Sequence, residues 1–109
     1  MAKNDALFST EEYKEYKKLT EELANLVNPY VHNGSLEEVI AAAIVSMECR
    51  KRLDKAYWAC YDGYLSIEQF ATTMNDIKND VGGDKFHNRT MQKATEINVD
   101  NIFSSNNLR

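Results

Sequence analysis

Apolar residues recur at helical steps along most of the chain, and serine-based start signals divide them into three runs. Tyr16, Leu19, Leu23, Leu26 and Tyr30 are spaced by three or four residues, as one stripe of a helix requires, and Tyr13, Ala24, Val27 and Val31 widen it. The second run, Val39, Ala42, Ser46, Cys49, Leu53, Ala56 and Cys60, alternates threes and fours without a break. Most of its members are small, which lets a neighbouring helix approach closely. Leu36, Ile40, Ala43, Ile44 and Met47 line an adjacent face of the same segment. Ile67, Phe70, Met74, Ile77 and Val81 form the third run.

Each run follows a serine placed three residues before Glu or Gln: Ser9 with Glu12, Ser35 with Glu38, and Ser66 with Gln69. Such pairs satisfy two amide donors that a helix start leaves open. Helices are therefore expected after Ser9, from Ser35 to about Tyr61, and after Ser66. Pro29 ends or kinks the first, and Asn33-Gly34 closes it. The second is the organising element, roughly 40 Å long at 1.5 Å per residue. The third stops at Gly82-Gly83.

The predicted architecture is all-α, a small bundle of three main helices around a long central one. Residues 1–83 form the helical bundle domain, and residues 84–109 a polar C-terminal segment, partly helical or disordered. Phe86, Met91, Ile97, Val99, Ile102 and Phe103 leave two alternatives for that segment. It forms a fourth short helix over about Thr90–Phe103 that packs on the bundle, or it orders on a partner. The apolar seams exceed what a three-helix monomer covers, so a homo-oligomer is expected.

Composition narrows the function. The chain has 109 residues, 43% of them apolar, and a formal charge of -4. That acidity disfavours a protein whose main task is coating phosphate backbones, and no run is long and apolar enough to span a bilayer. A soluble, cytoplasmic protein is expected. Abundant Asn, Lys, Tyr and Ile match the bias of AT-rich genomes, phage and bacterial ones among them.

Tyr61–Phe70, YDGYLSIEQF, resembles the second half of an EF-hand calcium loop. Gly63 takes the central glycine position, Asp62 the ligand position before it, Leu65 the apolar position and Ser66 the one after. The remaining positions depart from the family: Trp58 and Cys60 stand where oxygen ligands belong, and Gln69 replaces the closing bidentate carboxylate. Calcium requires six to eight oxygens, so the segment is read chiefly as a helix-to-helix turn, with a degenerate EF-hand-like metal-binding hairpin as a secondary alternative.

No nucleophile elbow, phosphate loop or zinc spacing is present, so no catalysis, cofactor or resident metal is expected. Cys49 and Cys60 would lie roughly 16 Å apart on one helix, too far for a mutual bond, and are read as buried thiols. His32 and His87 are read as exposed loop residues. Two candidate surfaces remain. Tyr57, Trp58, Tyr61 and Tyr64 combine large contact area with polar handles and are candidates for binding a protein partner, with core packing against the third helix and the tail as the alternative role for most of them. Arg50, Lys51, Arg52 and Lys55 are the alternative candidates, for a phosphate, nucleotide or nucleic acid. The leading expectation is a small accessory or regulatory protein that occupies a partner protein stoichiometrically.

Overall fold

A computed structural model describes residues 5–97. A 3-10 turn, Asp5–Ser9, is followed by α1 (Glu11–Asn25), α2 (Asn28–Asn33), α3 (Leu36–Tyr61), α4 (Ile67–Val81) and α5 (Lys85–Glu96). No strand occurs among the described residues. The protein is an all-α bundle organised on α3, which packs against α1, α2, α4, α5 and the 3-10 turn.

Two of the three start signals close as reciprocal caps. Ser35 Oγ accepts from the Glu38 amide while Glu38 accepts from the Ser35 amide at 2.9 Å, and Ser66 and Gln69 repeat the arrangement. At the first signal the cap is Thr10, which accepts from the Tyr13 amide at 3.1 Å. Ser9 is engaged elsewhere: its hydroxyl donates to the Ala6 carbonyl and closes the preceding turn. The first helix ends near Val27, as Pro29 requires. The chain leaves α1 after Asn25 and starts again as α2, with Pro29 in the first turn, where its missing N–H is not needed. Ala24 of α1 and Val31 of α2 are both exposed, although the sequence pattern sets them beside the buried stripe.

Two glycines are fixed by backbone geometry. At Gly34 a β-carbon would stand 2.8 Å from the Tyr30 carbonyl oxygen, so the tight turn into α3 excludes a side chain. Gly63 adopts φ 89°, the left-handed region that other residues avoid. Around it the Gly63 amide donates to Cys60 O and the Tyr64 amide to Ala59 O. This is the Schellman pattern that satisfies the last carbonyls of a helix.

The core has two parts strung along α3. The larger joins Leu7, Leu19 and Leu23 to Cys49, Leu53, Ala56, Tyr57 and Cys60 of α3 and to Phe70, Met74 and Ile77 of α4. The smaller packs Phe86 of α5 against Ala42 and Val45, with Leu26, Val27, Tyr30 and Val81 around it. All of the expected α3 seam is buried except Val39, which is half-buried. Each large side chain wholly removed from water stabilises the fold by about 1.5–3 kcal/mol, so these interiors outweigh the surface pairs Arg52–Asp80, Lys78–Glu15 and Arg89–Glu48.

The polar segment begins with α5, which starts at Lys85, ahead of the expected Thr90. It packs along α3 through Phe86 and Thr90, both buried. The remainder of the expected element, residues 98–103, and the rest of the tail lie outside the described residues.

A candidate aromatic interaction site

The side chains flanking the Schellman turn divide between core and surface. Tyr57 points inward: it is buried and stacks on Tyr16 with ring centroids 4.4 Å apart and planes within 10°. Both rings approach Phe70, which is fully buried. Trp58, one residue on, is rotated out of the bundle and 56% exposed. Tyr61 is half-buried at the last turn of α3, and Tyr64 is 71% exposed within the turn itself.

Phe8 completes the group. It stands in the 3-10 turn, 46% exposed, and packs on Tyr61 at 5.5 Å and edge-on to Tyr13 at 5.1 Å. Trp58 meets Tyr61 edge-on at 5.8 Å and Tyr57 at 5.1 Å. Trp58, Tyr61 and Phe8 thus form a contiguous surface patch, seated on Tyr13, Tyr57 and Tyr16 and through them on the core. The sequence puts Tyr57, Tyr61 and Tyr64 on one helix face and Trp58 away from it, whereas the structure joins Trp58 to Tyr61. Phe8 is not legible in the sequence, because an apolar pair, Leu7-Phe8, in a polar window has no periodicity to read.

Tyr16 ties this stack to a charge. Its hydroxyl donates to Asp54 Oδ1 at 2.8 Å, and Arg50 Nε donates to the same oxygen at 3.2 Å. Burial, then the hydrogen bond to Asp54 and that carboxylate's charge, push the Tyr16 phenol up to about 12. Its neutral form is favoured in the folded chain, so this contribution is fully present below the unfolded value near 10 and disappears as pH rises from about 10 to 12. Alkaline unfolding followed by circular dichroism should show loss of stability in that window, and Tyr16→Phe should weaken the dependence. Part of it should persist, because burial also raises Tyr30 and Tyr57.

The four basic residues do not form one site. Arg50 is held by Asp54 on the α1 side. Arg52 points the other way and pairs with Asp80 of α4. That guanidinium holds the Asp80 carboxyl below the usual range, with Arg89 and Lys85 adding to the effect. Lys51 and Lys55 are exposed and form no ion pair with any described residue.

Other chemistry is local. Cys49 and Cys60 are buried free thiols, and burial, then Glu12, raises the Cys60 thiol so that it stays protonated. His32 and His87 lie on α2 and α5 rather than in loops. A cleft of about 410 Å³ between α2 and α5 is lined by Leu26, Pro29, Tyr30, Phe86, His87 and Met91. Its Tyr30 hydroxyl and His87 Nδ1 bond each other at 2.8 Å, while Glu38 at its edge is spent on the α3 cap. No group of three or more metal-ligating side chains occurs among the described residues, Asp62 included. No described helix is long and apolar enough to cross a membrane.

Comparison with known protein families, curated proteins and solved structures finds no match to this chain. The fold class, a small all-α bundle with an exposed aromatic patch at one end of its central helix, therefore rests on the chain's own residues.

Proposed function

We propose that the protein is a non-enzymatic binding module that docks a partner protein through Phe8, Trp58 and Tyr61, with Tyr64 at the margin. One observation carries this reading: three rings, two of them about half exposed, are joined through Tyr61 and rest on the Tyr13, Tyr16 and Tyr57 rings that lead into the core. Single exposed aromatics are ordinary on protein surfaces, whereas a contiguous apolar patch marks an interaction site. Aromatic side chains dominate binding hot spots because they bury large areas while losing few rotatable bonds. Their backing here fixes the rings before a partner arrives, which lowers the entropic cost of binding.

The test is capture by a photo-crosslinking side chain placed at Trp58 or, as control, at exposed Asn75, combined with affinity measurements on the captured protein. Trp58→Ala should weaken binding by roughly thirtyfold, the effect of a hot spot of about 2 kcal/mol, and leave the melting temperature nearly unchanged. Equal affinity of wild type, Trp58→Ala and Phe8→Ala for that partner would refute the proposal. Salt-sensitive nucleic-acid binding, lost in Lys51→Ala/Lys55→Ala and retained in Trp58→Ala, would favour the phosphate-binding alternative.

A further inference from the structure

Opposite its buried seam, α3 carries a second row of residues that is only partly covered by the described elements. Leu36, Ile40, Ile44, Met47, Lys51, Lys55 and Trp58 follow one another at steps of three and four, so they share a face of the helix. Leu36 is 51% and Met47 64% exposed, while Ile40, Ala43 and Ile44 between them are half-buried. The N-terminal half of this face is thus apolar and partly exposed, most of all at Leu36 and Met47. Glu37 stands on it in the first turn, and Lys51 and Lys55 stand on it beyond the middle.

We infer that this face binds a second copy of the chain, the two α3 helices packing antiparallel about a two-fold axis near Ile44. Trp58 stands fourteen residues from Ile44, where the antiparallel partner's α3 has already ended, so the interface does not rest on the partner-binding proposal. A two-fold interface must be self-complementary, each patch meeting its own image. Glu37 and Lys51 are seven residues on either side of Ile44, about 10.5 Å along the axis at 1.5 Å per residue. Antiparallel pairing therefore sets Glu37 of each copy opposite Lys51 of the other and joins the apolar halves at the centre. Parallel pairing would set Glu37 against Glu37 and Lys51 against Lys51, a repulsion at both ends. A nucleic acid does not suit a surface centred on the apolar Ile40, Ile44 and Met47, since its affinity comes from cations on phosphates.

Sedimentation velocity on the full chain across a concentration series tests this. The wild type should form a dimer that dissociates on dilution. Ile44→Glu and Met47→Lys should each weaken it by ~tenfold or more, with unchanged helical circular dichroism. Met47 is the safeguard, since its exposure lets the variant fold even where Ile44→Glu fails. Glu37→Lys and Lys51→Glu should each weaken the dimer, and both together in one chain should restore it. A wild type that is monomeric at every concentration, as when residues 98–109 cover the face themselves, would overturn the inference. So would a dimer indifferent to Met47→Lys, or a double charge exchange that fails to restore association.

Discussion

Phe70→Ala should lower the unfolding free energy by about 3–5 kcal/mol, read as a fall in the denaturation midpoint with an unchanged denaturant dependence. Phe70 is fully buried where α1, α3 and α4 meet, and its ring touches those of Tyr16 and Tyr57. Removing it deletes transfer free energy and leaves a cavity that three helices, held by their own caps, do not close. Because small domains have a total stability of about 5–15 kcal/mol, this single change should bring the chain near its folding limit. Phe70→Leu should lose much less, since most of the volume stays filled.

Ser46→Val should be nearly as informative. The Ser46 hydroxyl donates at 2.8 Å to the carbonyl of Leu23, in the last turn of α1, where the helix has no amide of its own to offer. Both groups are buried. Valine removes the hydroxyl and adds the same extra γ-methyl that threonine adds, so relative to Ser46→Thr it isolates the lost donor: the carbonyl stays desolvated without a partner, a loss of about 1–3 kcal/mol. Ser46→Thr, which retains a hydroxyl, should recover most of it in thermal or denaturant unfolding. Equal stability of the valine variant and the wild type would show that Leu23 finds another donor.

These two positions illustrate how much of the fold the sequence carries. Phe70 belongs to the third apolar run, and its burial follows from period alone. Ser46 occupies a seam position in a pattern of small residues, so its burial is also readable, but its acceptor on α1 is a product of tertiary packing. The serine caps at Ser35 and Ser66 are local chemistry and appear where the pattern places them. The start of α5 was obscured for a physical reason. Its buried face is Phe86 and Thr90, and a pattern reading counts threonine as polar even though the fold encloses it completely.

The candidate site was readable in part for a related reason. Periodicity tells which residues share a helix face, but only the neighbours decide whether that face is covered. Tyr57 and Trp58 are adjacent and chemically alike, yet α1 and α4 cover the first and leave the second open. Phe8 joins the patch from a segment with no repeat, across more than fifty positions of sequence. Likewise Arg50 and Arg52 are two residues apart, so the helix sends them to opposite sides and to different carboxylates.

The joints between helices have a kinetic meaning. From Leu26 to Val27, Gly34 to Ser35, Asp62 to Ser66 and Gly82 to Asp84, no connection exceeds a few residues, and each helix docks on the rod formed by α3. Closing such short loops sacrifices little chain entropy before contacts form. The topology therefore belongs with those that reach the native state on the order of microseconds to milliseconds, which leaves little time for open seams to meet other chains during synthesis.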